Sequence, residues 1–293
     1  MRKLLAANIG EVFSTQAMRE VAKGNFNGRA AQTLTRLTAL GALTVPPAAT
    51  YADAIAAYHR WMVTHHRNEY VHKNALANKT FLKDSNLTTA TMLTEFRVGD
   101  SVADCVIVNS CATVYEIKTE LDTPARLLKQ LDTYVTAFPR TVVVTDVSLI
   151  NRYTRMLSNR PTGLVVLTGR GDLEEIIPSR WDVSHLSVET MFKALRKPEY
   201  TQIAAHFGGT VPTVPNTQHF RLCFSMVQQV KPSDFHEKFS AALKKRHLPA
   251  GLDNPDLETV RHVCFKLSPK PAELANIVSW LKKPLPAVET QQK

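Results

Sequence analysis

No Cys-x-x-Cys pair occurs in this chain, and its four cysteines, Cys105, Cys111, Cys223 and Cys264, are spread thinly. That argues against a disulfide framework or a structural zinc site, and reduced thiols are expected. No apolar run approaches the ~18 residues needed to cross a bilayer. The opening Met1-Arg2-Lys3-Leu4-Leu5-Ala6-Ala7 starts like a signal peptide. Asn8 and Glu11 cut its apolar stretch below the ~7–15 residues such a segment requires. A soluble, cytoplasmic chain with no membrane partner is expected. Glycine is sparse, with 11 in 293 residues, so Gly-rich phosphate loops have little material. Gly169-Arg170-Gly171 has no third glycine and no following Lys-Ser/Thr, and reads as a turn after a strand. His65 and His66 are adjacent on a helical stretch, about 100° apart, and do not converge on one ion.

What is present is an ordinary globular composition, 44% hydrophobic and 21% charged. At ~100–200 residues per domain, the length suggests two domains. The net charge is +10 and is unevenly placed. Residues 1–66 carry 7 basic and 3 acidic side chains, residues 67–180 carry 14 and 13, and residues 181–293 carry 15 and 10. Basic flanks around a balanced middle suit a polyanion partner, because Lys/Arg contacts to phosphate supply most non-specific nucleic-acid affinity.

The periodicity divides the chain into three regions. Residues 1–66 read as helices: Gln16–Lys23 capped by Ser14-Thr15, a turn at Gly24–Gly28, Arg29–Leu40, and 52–66. The first two fit either a helix-turn-helix or a generic helical hairpin. Residues 67–180 open with a helix from Arg67 to Leu82 and change period at Thr89. Strands follow at Thr91–Val98, Val102–Val108 and Thr113–Lys118, with turn chemistry at Gly99-Asp100-Ser101 and Asn109-Ser110. Thr123 and Pro124 start a helix that runs to Phe138; Thr141–Thr145 is a buried strand, and a helix at Leu149–Leu157 and a strand at Leu164–Leu167 follow. An antiparallel meander joined to parallel additions implies an α-β-β-β-α-β three-layer α/β sandwich. Residues 181–293 read as a basic helical region, Val188–Arg196, Glu199–Phe207, His219–Val230, Asp234–Arg246 and Ala272–Lys282, with a frayed tail past Pro284.

The hairpin Val102–Lys118 carries the chemistry. Glu116 and Lys118 share a strand face, and a turn centred near Ser110 sets Asp104 opposite Glu116, with side chains ~5 Å apart. Two carboxylates that close repel unless a cation compensates. A hard divalent ion with oxygen ligands satisfies both; the alternative is a structural Glu–Lys ion pair at the sheet edge.

At these residues the chain resembles the PD-(D/E)XK nuclease superfamily: Ala103-Asp104, then Tyr115-Glu116-Ile117-Lys118, then Gln130-Leu131-Asp132-Thr133-Tyr134. The order is similar to the branch whose helix after the ExK strand carries Gln-xxx-Tyr. The run Arg67–Asp146 looks like a little-characterised bacterial family within it. Ala103 stands where the motif's proline is expected. The resemblance implies a restriction-endonuclease-like fold and a metal-dependent nuclease acting on DNA, in restriction, repair or anti-phage defence. Asp104, Glu116 and the Ile117 carbonyl would hold Mg²⁺, or Mn²⁺ in its place, and no other cofactor is implied. Glu69, or else Glu95, would add a ligand. Lys118 would position or deprotonate the attacking water, and Gln130 and Tyr134 would orient substrate or the lysine. The alternative from another class is a non-catalytic DNA-binding or assembly module that keeps the fold. A homo-oligomer is compatible with either.

Overall fold

Local capping chemistry sets the helix starts. The computed structural model describes residues 1–120 and 122–286. Two short helices, α1 (Arg2–Ala7) and α2 (Ile9–Val12), precede α3 (Thr15–Ala22). The Ser14 hydroxyl accepts the Ala17 amide at 3.2 Å and caps α3. After the turn comes α4 (Arg29–Ala39), whose Arg29 is held by Glu20 through both its backbone amide, 3.0 Å, and its Nε, 2.7 Å. A reciprocal Thr50/Asp53 capping box starts α5 (Tyr51–His65). The expected Arg67–Leu82 helix is three pieces. It comprises α6 (Glu69–Ala75), a π-helical turn at Leu76–Phe81, and α7 (Leu82–Asp84).

The sheet follows the period-2 segments closely. Strands β1 (Thr91–Val98), β2 (Ser101–Val108) and β3 (Ala112–Lys118) form an antiparallel meander. A 3₁₀ turn at Pro124–Arg126 leads into α8 (Leu127–Tyr134), shorter than the expected Thr123–Phe138 helix. Thr123 makes no side-chain cap, and the chain from Val135 to Ala137 is in turns. The crossover brings β4 (Arg140–Asp146) parallel to β3. Then come α9 (Ile150–Leu157), β5 (Gly163–Leu167) and β6 (Leu173–Ile177). The six strands lie in the sheet in their sequence order. The chain is thus mixed α/β. Helices α10 (Val188–Lys193), α11 (Lys197–Gly208), α12 (Asn216–Ser225), α13 (Pro232–Lys244), α14 (Arg261–Leu267) and α15 (Pro271–Leu281) complete it.

Two units result, and they cut across the three regions drawn from the sequence. Unit 1 combines Met1–Leu87, the turn Leu167–Leu173 and the chain from Leu248 onward. In it α15 packs on α3, and the Trp280 indole N–H donates to the Phe26 carbonyl at 3.1 Å. The chain past Pro284 is pinned rather than frayed at Leu285, whose amide donates to the Ala49 carbonyl at 2.7 Å. The rest of the expected tail, from 287, lies outside the described residues. Unit 2 holds Thr88–Val166 and Glu174–His247. Its core joins Val106, Val108 and Val114 of the sheet to Leu131, Tyr134 and Phe138, and to Phe192, Phe235 and Phe239 beyond. Helices α10 to α13, expected to form a separate region, therefore share the core of the sheet.

Candidate active site

Register decides which side chains meet. Between β2 and β3, Val106 faces Val114 and Cys105 faces Tyr115, so the next step sets Asp104 against Glu116, as the turn geometry predicts. The backbone ladder stops at that step. There the Asp104 carboxylate takes the Ile117 amide, with Oδ2 2.8 Å from the nitrogen. A side chain has replaced a strand carbonyl at the point where the two strands part.

Glu116 is 2% exposed, and each of its carboxylate oxygens has a donor. Lys118 Nζ lies 2.6 Å from Oε1, and the Tyr134 hydroxyl lies 2.8 Å from Oε2. Tyr134 reaches the sheet from α8, itself fully buried in the core, and its hydroxyl is also 2.9 Å from the Val102 carbonyl. A phenol has one proton, so these two acceptors share it. Burial, reinforced by the Glu116 and then the Asp104 charge, pushes the Tyr134 phenol far above its ordinary value. Tyr134 is therefore a fixed donor at neutral pH. Gln130, one turn earlier, directs Nε2 toward the same hydroxyl at 3.5 Å. Its Oε1 is buried and has no hydrogen-bond partner among the described residues. The Thr145 hydroxyl donates to the Lys118 carbonyl at 2.6 Å, which ties the end of β3 to β4.

Five of the sequence-predicted residues thus converge: Asp104, Glu116, Lys118, Gln130 and Tyr134. The parallel β3–β4 register, read in full, could also have flagged Thr145; nothing in the sequence marks the Val102 carbonyl. The two candidates for a further ligand stand differently. Glu95 is on β1, in line with Asp104 by register, but with φ at +53°. Glu69 is on α6 in unit 1, where its carboxylate is ion-paired with Lys73. Among the described residues no group of three or more His, Cys, Asp or Glu side chains is arranged to hold a metal.

The comparisons with known proteins can be set beside this geometry. The family model described as bacteriophage P4 protein cII matches residues 62–251, which include the whole sheet and every residue of the cluster. The chain belongs to the bacteriophage P4 cII family. The matched segment takes in helices α6 to α13 as well as the six strands. No curated protein matches the chain. A solved structure of a protein of unknown function from Silicibacter pomeroyi is similar at 16% identity and a TM-score of 0.29, over 38% of this chain and 70% of the other.

Proposed function

We propose that this member of the P4 cII family is a metal-dependent phosphodiesterase that cleaves DNA. The observation that supports this most directly is the meeting of the Asp104 and Glu116 carboxylates with the Lys118 ammonium where the β2–β3 ladder ends. The donor set suits Mg²⁺. That ion is commonly held by one or two carboxylates, keeps several waters and completes its shell with substrate phosphate, so a third acidic side chain is not required. Asp104, Glu116 and the Ile117 carbonyl would hold it. Both Glu116 oxygens keep a lone pair beyond the one that faces Lys118 or Tyr134.

A bound divalent ion supplies Lewis acidity and lowers the pKa of its water. The chain's own residues do the rest. Tyr134 fixes the Glu116 carboxylate, and Asp104 is fixed by the Ile117 amide, so the two acids are held before substrate arrives. Lys118 presents a cation to the non-bridging oxygens as charge develops on them, and orients the attacking water. Gln130, whose buried amide oxygen has no partner among the described residues, would orient that water or the Lys118 ammonium. The +10 net charge draws in the DNA.

A second reading has an observation of its own. Lys118 and Tyr134 already satisfy Glu116, which suits a DNA-binding module that keeps the cluster as a structural ion pair. Incubation with plasmid, linear duplex and single-stranded DNA in Mg²⁺, Mn²⁺ or EDTA separates the two. Cleavage that needs the metal and is lost in Asp104→Ala is expected. DNA binding without cleavage in either metal establishes the module instead.

A further inference from the structure

Unit 1 contains a cavity of about 350 Å³ that the nuclease reading does not use. Three separate segments bring a cation to it: Arg60 on α5, Lys79 on the π-helical turn, and Arg170 on the turn between β5 and β6. Neither the Arg60 nor the Arg170 guanidinium forms an ion pair or side-chain hydrogen bond with another described residue. Lys79 has only a long contact, 3.7 Å, to Asp172, and both side chains are well exposed. Such a pair contributes little and yields readily to a competing anion. The one carboxylate in the lining is Glu258.

The remainder of the wall is recessed and hydrogen-bonded. Val71 and Asn74 are 1% and 2% exposed, so the floor lies within the fold rather than on its surface. Asn74 and Asn78 are committed to structure. Their amide nitrogens both donate to the Glu258 carbonyl at 2.9 Å, and the Asn74 oxygen accepts the His262 amide at 3.1 Å. Arg67 fastens the 167–173 turn from behind, donating to the Val63 carbonyl at 2.7 Å and to the Leu167 carbonyl at 3.5 Å. π-Helical turns carry a stability cost and concentrate at binding sites, and this one projects Lys79. Burial lowers the His59 imidazole to about 4, so at neutral pH it offers a neutral donor–acceptor rather than a charge.

The geometry points to a binding site for a small organic phosphate of nucleotide size, with Arg60, Lys79 and Arg170 on the phosphate and the Val63–Val71 wall against its apolar body. Guanidinium groups pair with phosphate in two-point fashion, and the volume falls in the range of small-ligand pockets. A recessed floor favours a discrete ligand that inserts over a polymer backbone that lies across the surface. This site is independent of the Asp104–Glu116 cluster, and it stands whether or not that cluster cleaves DNA.

Calorimetric titration of the full chain with AMP, ATP, inorganic phosphate, adenosine and a 5′-phosphorylated oligonucleotide tests it. AMP or ATP should bind and raise the melting temperature, with adenosine and inorganic phosphate each at least tenfold weaker. Arg60→Gln and Arg170→Gln should each weaken the nucleotide by roughly tenfold or more, the effect of losing one charge-assisted hydrogen bond to phosphate. Neither guanidinium has an ion pair or side-chain hydrogen bond among the described residues, and Arg60 interacts with Asp53 only through longer-range charge, so the melting temperature of the ligand-free variants should stay close to the parent's, and circular dichroism checks that they fold. No binding at millimolar nucleotide overturns the proposal. So does nucleotide affinity unchanged in the double variant, or tight binding of the oligonucleotide alone.

Discussion

Glu116 sits between two donors of different kind, an ammonium and a phenol, in a place with almost no access to water. Removing one of them is therefore more than losing a contact. Lys118→Met keeps the apolar stem and leaves a buried carboxylate with only the shared Tyr134 proton. Breaking a buried pair this way costs about 3–5 kcal/mol, much of it the stranded charge. Urea denaturation should show that loss in Lys118→Met and show most of it restored in Glu116→Gln/Lys118→Met, where the charge is gone. Equal loss in the single and double variants would place the cost in packing. Cleavage should be absent from both. The pair Lys118→Met and Asp104→Ala also divides the two functional readings, because Asp104 faces a backbone amide and its loss should cost stability less than activity.

At the scale of elements, the odd feature is Glu95. Leu93 and Phe96, three apart on β1, both pack on the same hydrophobic core, which strict alternation along a strand forbids. The left-handed backbone of Glu95, φ +53°, absorbs the mismatch, and it does so in line with Asp104. A non-glycine residue held there costs of order 1–3 kcal/mol, strain of the kind that collects at functional sites. Glu95→Val should therefore destabilise by about 1–2 kcal/mol despite valine's strand preference, while Glu95→Gly, which loses the same side chain but adopts this backbone freely, should cost less. Denaturant midpoints of the two variants decide it. The sequence could not show this strain, although it located β1 itself to the residue. Alternation, turn residues and helical spacing are local signals, and they were enough to find β1 to β5, most helices and the Asp104–Glu116 pairing. The short helices α1 and α2 were not foreseen, and two further elements gave no such signal. The edge strand β6, Leu173–Ile177, carries two glutamates that face solvent, charge that suits an unpaired edge and hides the apolar pattern. Helix α14 is buried on nearly every side, including Arg261 and His262, because Asn78 takes the Arg261 guanidinium and Asn74 the His262 amide. Those partners are some 180 residues away in the chain, beyond any window of local reading.

For the molecule as a whole, charge sets two expectations. With a net +10, affinity for duplex DNA should fall steeply and log-linearly with salt, and a flat response would separate the positive charge from nucleic acid altogether. Stability should fall in mild acid. Burial holds the His236 imidazole at about 4, against about 6.5 in an unfolded chain. Between those values the unfolded state binds the extra proton, so stability is full above ~6.5 and is lost as pH falls toward about 4, by roughly 3 kcal/mol for this group. Burial lowers His262 further, to about 3, which adds in the same direction. Urea midpoints at neutral pH and at about pH 5 should differ, and the difference should shrink in His236→Gln.

The interleaving of the two units also sets an order of events on the ribosome. Everything in unit 2, and the short 167–173 turn, has been synthesised by His247. The α3 and α5 surfaces are made before unit 2 and must wait for the Trp280 ring, which stacks on Tyr51 with ring centres 4.7 Å apart and is completely enclosed in the finished fold. At ~5–20 residues per second, the ~190 residues between Leu87 and Trp280 take about 10–40 s to make. Through that interval the sheet unit can close while the faces of α3 and α5 that α15 covers stay open, so a part of the molecule made before the sheet becomes native after it.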